Sequence, residues 1–411
     1  MEKQKSPELR FNQFKNDWNE TKLGDVVDIV GGGTPDTNVP EFWNGDIDWY
    51  SPTEIGENVY ANGSIKKITA AGLKNSSAKI LPAKKTVLFS SRAGIGDMAI
   101  LGKPAATNQG FQSFIANNID VYFLYSMGVK IKKFALSKAS GSTFLEISRN
   151  QLAQMEFFAP SAESGEQTQI GKFFQNLDQS IALQEKKLVQ KQNLKKAMLE
   201  KMFPKAGSMQ PEIRLKGFSG DWELKSLSDV SEKFEYGLNA QATTFDGINK
   251  YIRITDIDDE SRKFILDDIT SPNICFENCE KYKLSTGDIL FARTGASVGK
   301  TYIYLEEDGL VYFAGFLIRA KVKDTFDANF IFTNTLTERF NKFVLLTSQR
   351  SGQPGINAKE YGEYEFYCPN KDEQESIGNF FRHLDETLLL QQQKLQSLKN
   401  LKQAFLEKMF V

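Results

Sequence analysis

The stretch Ile170–Phe203 reads IGKFFQNLDQSIALQEKKLVQKQNLKKAMLEKMF, and it returns as Ile377–Phe410, IGNFFRHLDETLLLQQQKLQSLKNLKQAFLEKMF. The two copies align without a gap, and 19 of the 34 positions are identical. The repeat distance, 377 − 170 = 207 residues, is far longer than the roughly 20–50 residues of a solenoid unit. We therefore expect two copies of one whole module with pseudo-twofold symmetry, which suits a target that also has two halves.

Each copy predicts a long helix. Apolar residues recur every seven positions along two tracks, with polar interruptions, which is typical of a coiled-coil seam that sets register. The residues proposed for this seam are Phe174, Leu177, Ile181, Leu188, Phe381, Leu384, Leu388 and Leu395. A single amphipathic helix lying on its own core is the alternative. At 1.5 Å per residue each helix spans roughly 50 Å, longer than one domain needs for its core, so mutual packing is favoured.

The repeat extends upstream into the sequence before each long helix. Arg10–Val26 and Arg214–Val230 share Arg, Phe, Asp-Trp, Leu and Asp-Val at a constant offset. Further along, the Gly-Phe pair at 110–111 matches the Gly-Phe pair at 315–316. The predicted divisions are a globular domain at 1–163, a spacer helix at 164–205, a second globular domain at 206–370 and a second spacer helix at 371–411.

The globular parts have the pattern of a mixed α+β fold. Apolar runs at 86–92 (TVLFSSR) and 288–295 (DILFARTG), each ended by a Gly-containing turn, predict buried strands. The alternating segment 302–322, with a turn at 306–309, predicts a hairpin. Residues 31–56 are rich in Gly, Pro, Asn and Asp and predict mostly loop. Helical spacing of apolar residues occurs at 121–134 and at 329–347.

The composition allows folded cores and does not indicate a strongly basic protein. The chain has 411 residues, 32 of them Phe, with a net charge of −1, more aromatic content than a disordered chain carries. Cys275, Cys279 and Cys368 form no CxxC pair, which favours a reducing cytoplasm and no structural zinc. The first ten residues lack the apolar segment of a signal peptide, and no run of about 18 apolar residues occurs. We therefore expect a cytoplasmic protein without a membrane segment.

Catalytic patterns are not found in the sequence. Gly295–Thr301 (GASVGKT) has three residues where a phosphate-binding loop needs four. His383, the single histidine, falls within the second long helix. No Cys with a nearby base and no Asn/Asp-Pro-Pro-aromatic motif of an amino-methyltransferase is present. We expect a binding protein that holds no cofactor or metal of its own.

Polar and basic residues beside Gly-rich turns are candidates for nucleic-acid contacts. Arg can bind guanine or phosphate through two hydrogen bonds, Asn and Gln suit adenine edges, and Lys suits phosphates. An ordinary tight turn with a solvated Arg, or an ordinary solvated Lys, is the alternative at each position. The candidates are Lys66, Lys67, Arg92, Asn108, Gln109, Ser142 and Thr143 in the first domain, and Arg262, Arg293, Thr294, Ser297, Lys300 and Gln353 in the second.

These segments, in this order, resemble the specificity subunit of type I restriction-modification enzymes. The resemblance covers both halves of the chain. The segments that carry it are Val30–Pro35 (VGGGTP), Phe42–Trp49 (FWNGDIDW), Ser91–Gly96 (SRAGIG), Asn108–Phe111 (NQGF) and Gly141–Phe144 (GSTF). The second half departs from the pattern, with YGLN at 236–239 and GQPG at 352–355, as expected if the two halves read different sequences.

The resemblance implies an α+β fold with two β-rich target recognition domains, joined by two long antiparallel coiled-coil helices. Each domain would read one half of a split site in double-stranded DNA. The helices would act as a spacer and dock two methyltransferase subunits, and two motor-nuclease subunits would join for cleavage. S-adenosylmethionine, ATP and Mg²⁺ would then belong to those partners, and this chain would not be an enzyme by itself.

Two other functions remain open from the sequence. One is a DNA-binding adapter that serves only modification or regulation, without a restriction partner. The other is a structural coiled-coil protein whose globular ends bind protein or glycan.

Overall fold

The computed structural model describes residues 5–141, 145–205, 207–277, 279–350 and 352–411. The chain forms two compact units. Unit 1 comprises the residues up to 185 together with 393–411, and unit 2 comprises residues 186–392. Each long helix therefore contributes to both units.

Unit 1 contains short strands, short helices and the beginning of the first long helix. Its strands are β1 (Asn19–Lys22), β2 (Val27–Gly31), β3 (Trp43–Tyr50), β4 (Tyr60–Ala61), β5 (Lys66–Ile68), β6 (Thr86–Phe89), β7 (Met98–Leu101), β8 (Ala106–Thr107), β9 (Gln112–Ala116) and β10 (Glu156–Ala159). The helices are α1 (Leu23–Val26), α2 (Ala70–Lys74), α3 (Val121–Ser126), α4 (Gly128–Lys138), α5 (Arg149–Ala153) and the long α6 (Glu166–Lys201), whose second half belongs to unit 2.

Unit 2 has a similar series of elements. Its strands are β11 (Glu223–Ser226), β12 (Ser231–Tyr236), β13 (Ala242–Thr244), β14 (Lys250–Ile252), β15 (Thr270–Pro272), β16 (Asp288–Ala292), β17 (Thr301–Ile303), β18 (Val311–Phe313), β19 (Leu317–Val322) and β20 (Glu365–Cys368). The helices are α7 (Leu227–Val230), α8 (Ala328–Asn334), α9 (Glu338–Thr347), α10 (Ala358–Gly362) and the long α11 (Lys371–Lys408), whose last turns belong to unit 1.

Each unit is centred on an antiparallel sheet with the same strand arrangement. The order is β2-β9-β6-β7 in unit 1, where β4 adds in parallel to β7, and β12-β19-β16-β17 in unit 2. Every residue of β6 and of β16 is buried, which confirms the strands predicted from the two apolar runs. The fold class is confirmed as α+β, with two β-rich domains and two long helices.

A buried ion pair fixes the start of each long helix. Arg10 donates two hydrogen bonds of 2.7 Å to Glu166, whose side chain is 1% exposed. Arg214 donates hydrogen bonds of 2.8 and 2.7 Å to the equally buried Glu373. A bidentate Arg–carboxylate pair has a fixed geometry, so the start of each globular domain is tied to the first turn of the long helix that follows it.

The residues that follow α11 complete the core of unit 1. Met409 and Phe410 are buried among the core residues of that unit. The Phe410 ring lies 5.2 Å from Phe123 and 5.8 Å from Phe174, measured between ring centroids. Residues at the end of the chain therefore pack against residues from the first half of the sequence.

The end of α6 does the same in unit 2. Met202 and Phe203 are buried there, and the Phe203 ring lies 5.6 Å from Phe330 and 6.1 Å from Phe381. Both copies of LEKMF thus end in the core of a globular unit. This explains why the repeat stays so similar up to its last residue, because each copy fills an equivalent site.

The two long helices run antiparallel within each unit. In unit 1, Lys402 near the end of α11 pairs with Asp178 near the start of α6 at 2.6 Å, and the Tyr122 hydroxyl donates to the same carboxylate at 2.7 Å. In unit 2, Lys195 pairs with Asp385 at 2.6 Å. The same Lys–Asp pair, from equivalent positions of the repeat, therefore occurs once in each unit.

The proposed seam lies on the less exposed side of each helix. At the helix starts the seam side chains are buried, and farther along they are half-buried. The buried members are Phe174, Leu177, Phe381 and Leu384, and the half-buried members are Ile181, Leu188, Leu388 and Leu395.

One local prediction, the hairpin, is wrong, and the structure adds detail to two others. The segment 302–322 forms no hairpin, because β17 pairs with β16 while β18 pairs in parallel with β14. Residues 43–50, inside the predicted loop, form the strand β3, whose Trp side chains pack despite the turn-forming residues around them. The helical spacing at 329–347 corresponds to two helices, α8 and α9. They are separate because the Thr337 side chain accepts a hydrogen bond from the backbone NH of Phe340 and so caps the start of α9.

In the part of the chain that the structure describes, no helix combines the length and the apolar character needed to cross a bilayer.

Candidate nucleic-acid interface

Three strand ends meet at one edge of the unit 2 sheet. Strand β12 ends at Tyr236, β16 ends at Ala292 and β19 begins at Leu317. Immediately beyond the sheet, the backbone NH of Arg293 donates to the carbonyl of Phe316 at 3.0 Å. Residues that follow or precede these strands are therefore brought together, although they are far apart in sequence.

The loop after α9 closes over the same edge. Ile356 NH donates to the carbonyl of Arg293 at 2.9 Å, and Gly295 NH donates to the carbonyl of Pro354 at 3.0 Å. Gly295 has φ = +70°, and a Cβ atom there would lie 2.7 Å from the amide nitrogen of Gln353. Glycine at this position thus lets the Gln353 side chain approach the turn that carries Arg293.

The side chains at this edge form an amphipathic group open to solvent. The Arg293 guanidinium lies 5.0 Å from the centroid of the Tyr236 ring, within the range of a cation–π interaction. Tyr236 is 44% exposed and Phe316 is 59% exposed. We call the four exposed or half-buried side chains Tyr236, Arg293, Phe316 and Gln353 the unit 2 edge.

Unit 1 has the corresponding edge. Strand β2 ends at Gly31, β6 ends at Phe89 and β9 begins at Gln112. Here the backbone NH of Ser91 donates to the carbonyl of Gly110 at 2.8 Å. The same backbone hydrogen bond thus joins the ends of equivalent strands in both units, and we call this arrangement the backbone frame. The side chains on the frame differ between the units.

This shared hydrogen bond corrects one predicted correspondence. Ser91 occupies the place of Arg293, and Gly110 occupies the place of Phe316. The match between the two Gly-Phe pairs is thus displaced by one residue. A Cβ atom on Gly110 would lie 2.7 Å from the Pro52 side chain, so unit 1 has no room for a side chain where unit 2 exposes a phenylalanine.

The amide candidates of unit 1 lie on its edge. The Asn108 side-chain carbonyl accepts from the backbone NH of Gly110 at 2.8 Å, so Asn108 also shapes the turn. Gln109 is exposed and hydrogen-bonds the hydroxyl of Thr34. Arg92 follows in the same turn and is half-buried.

The basic candidates of unit 1 lie on a separate strand. Lys66 and Lys67 are exposed on β5. The Lys66 ammonium lies 6.0 Å from the centroid of the Trp43 ring, and Lys67 pairs with Asp48 at 3.4 Å. The Lys67 side chain is 46% exposed whereas that of Asp48 is only 11% exposed, so the Lys67 ammonium reaches solvent while its partner carboxylate is largely buried.

Of two further basic candidates of unit 2, Lys300 is paired within the protein and Arg262 lines a cavity. Lys300 pairs with Asp259 at 2.6 Å and its side chain is only 15% exposed. Arg262 has φ = +58° and lines a cavity of about 780 Å³ between the 258–263 turn and the long helices, beside Lys195 and Asp385. Burial lowers the pKa of the Arg262 guanidinium.

The remaining candidates differ in placement. Thr294 is half-buried and takes the place of Arg92, and Ser297 is half-buried in the turn at Gly295–Ser297. Ser142 and Thr143 lie outside the described residues.

Sequence reasoning missed Tyr236 and Phe316. Two signals were available in the sequence. Tyr236 ends an alternating strand and precedes a glycine, and Phe316 stands between a glycine and a buried strand. Neither signal separates an exposed aromatic from a core aromatic without the strand register.

The comparisons with known proteins agree with one another. A family model described as the type I restriction modification DNA specificity domain matches residues 15–191 and 219–400. A type I restriction enzyme specificity subunit of Methanocaldococcus jannaschii is 32% identical over 247 residues, covering 57% of this chain and 56% of the relative. Another, from Escherichia coli, is 32% identical over 180 residues, covering 41% and 43%. The chain spans about half the length of these curated relatives.

A solved structure has the same fold over the full length. The S subunit of a type I restriction-modification system from M. genitalium superposes with a TM-score of 0.64 at 16% identity, covering 99% of both chains.

Proposed function

Because the chain belongs to the family of type I restriction-modification DNA specificity proteins, we propose that it is the subunit that reads DNA for such a system. The two globular domains, at 1–163 and 206–370, each read one half of a split site in double-stranded DNA. The spacer helices at 164–205 and 371–411 join the two domains.

One observation carries this proposal. The two units present the same backbone frame at a sheet edge but place different side chains on it: Ser91 and Gly110 in one, Arg293 and Phe316 in the other. A conserved frame with variable side chains is what two readers of different half-sites require, since base edges are distinguished by side-chain chemistry.

The long helices support a spacer role. With 36 residues in α6 and 38 in α11, each spans roughly 50–60 Å at 1.5 Å per residue. Two domains that meet the same face of a duplex need half-site centres about one helical turn apart. We expect a recognition motif of two defined parts around a non-specific spacer.

The same helices offer a surface to partner subunits. Leu183, Val189 and Leu390 are apolar residues at least half exposed on them, and burying them against a partner would be favourable. We propose that two methyltransferase subunits dock there and that two motor-nuclease subunits join for cleavage, in the cytoplasm. Those partners would supply catalysis and bind S-adenosylmethionine, ATP and Mg²⁺.

The test is coexpression with a methyltransferase subunit from the same system, followed by genome-wide mapping of methyladenine. The expected result is one bipartite motif that disappears when this chain is omitted. An uninterrupted motif, or methylation that does not depend on this chain, would contradict the proposal. Inserting one heptad into both helices is expected to lengthen the spacer without changing either half.

A further inference from the structure

We infer that Phe316 is a specificity-determining residue that contacts the methyl group of a thymine in the half-site read by unit 2. The inference rests on the proposed function and adds a residue outside the polar and basic candidates. It concerns unit 2 alone, because the equivalent position in unit 1 is Gly110.

The Phe316 ring is exposed although the residues beside it in the chain belong to the core. Its neighbours Ala314 and Leu317 are buried, whereas Phe316 is 59% exposed. In unit 1 the same frame is built with glycine, so the fold does not need a side chain at this place. A single exposed apolar residue is common on proteins, so position and neighbours must decide its role.

The position of Phe316 is fixed by backbone hydrogen bonds on both sides. Gly315 NH donates to the Leu238 carbonyl at 2.8 Å, Leu317 NH donates to the Ala314 carbonyl at 2.8 Å, and the Phe316 carbonyl accepts from Arg293 at 3.0 Å. The ring is therefore presented from a rigid turn, which is the arrangement that precise recognition requires.

The neighbours of Phe316 form a set suited to the major groove. Arg293 can bind guanine through two hydrogen bonds, Gln353 can bind adenine, and an apolar side chain can contact the C5-methyl group of thymine. Stacking on Tyr236 restrains the Arg293 guanidinium. Phe316 would add to Arg293 and Gln353 a contact with the thymine methyl group, which hydrogen bonds cannot recognise.

The experiment uses the full chain in complex with its methyltransferase subunit, after the motif has been mapped. Affinities are measured by fluorescence anisotropy for cognate duplexes in which each thymine of the unit 2 half-site is replaced, one at a time, by deoxyuridine. Wild type is expected to lose about fourfold in affinity at one position, the equivalent of one buried methyl group.

The variant Phe316→Ala is expected to bind the thymine duplex at least fourfold more weakly and to be indifferent to deoxyuridine at that same position. Phe316→Leu should retain part of the discrimination. The control is Leu346→Ala, an exposed leucine on α9 of the same unit, which should bind both duplexes as wild type does.

Three results would overturn the inference. One is that Phe316→Ala binds like wild type. Another is that it weakens binding while still sensing deoxyuridine, as a wedge between base pairs would. The third is a unit 2 half-site without thymine. Each of these leaves a bipartite, chain-dependent motif intact, whereas failure of the proposed function would remove the motif itself.

Discussion

Replacing Phe410 by alanine should destabilise unit 1 selectively, although the residue lies far along the sequence from the rest of that unit. Phe410 is 6% exposed, so the substitution removes nearly a whole buried ring. Burial of a Phe in a core is worth about 3–5 kcal/mol. The contacts of its ring with Phe123 and Phe174 are part of that value. We expect the free energy of unfolding of unit 1 to fall by about 4 kcal/mol. That is a large share of the roughly 5–15 kcal/mol that stabilises a domain.

Hydrogen exchange followed by mass spectrometry reads the two units separately. A loss of about 4 kcal/mol corresponds to exchange roughly 10³-fold faster in the most protected strands. This acceleration is expected in β9 of unit 1, while β19 of unit 2 serves as the internal reference and changes little. The matched control is Leu401→Ala, which removes an exposed leucine from the same helix.

Equal acceleration of β9 and β19, or none in either, would refute the reasoning. Either result would mean that Phe410 does not belong to the core of unit 1.

Two further predictions concern the helix start and the thiols. Glu166→Ala leaves the Arg10 guanidinium without its buried partner and should lower the free energy of unfolding of unit 1 by about 3–5 kcal/mol. Hydrogen exchange in β9 measures this loss, and the control Glu163→Ala, at an exposed residue, should have no effect. Equal effects of the two substitutions would contradict the buried pair. Burial raises the pKa of the Cys368 thiol to about 12. Iodoacetamide at pH 8 should therefore modify the exposed Cys275 and leave Cys368 unmodified until urea unfolds unit 2. Rapid labelling of both thiols would contradict the buried position of Cys368 in β20.

The long helices were predictable because their signal is local and periodic. The heptad tracks at Phe174 and Phe381 follow from spacing alone, and a helix places such residues on one side whatever its partner. What the spacing could not indicate is where the helices end. The motif LEKMF continues the heptad pattern, and only three-dimensional packing assigns Phe203 and Phe410 to the cores of globular units.

The sheet edges were harder to predict because strand register is a long-range property. A shift of one residue exchanges the buried and exposed faces of a strand. Matching the Gly-Phe pairs by identity therefore placed Phe316 with the buried Phe111, although its structural counterpart is Gly110. Arg293 could be proposed from sequence since it directly follows a strongly apolar strand.

The central claim, that each half of the chain reads one half-site, is tested most directly by a chain built from two copies of the first half, residues 1–206 repeated in tandem. Both copies keep the ion pair at the helix start and the LEKMF end, so the scaffold contacts are preserved. Coexpressed with the methyltransferase subunit, this chain should methylate a symmetric motif in which the first half-site recurs in inverted orientation. Retention of the original second half-site would contradict the account.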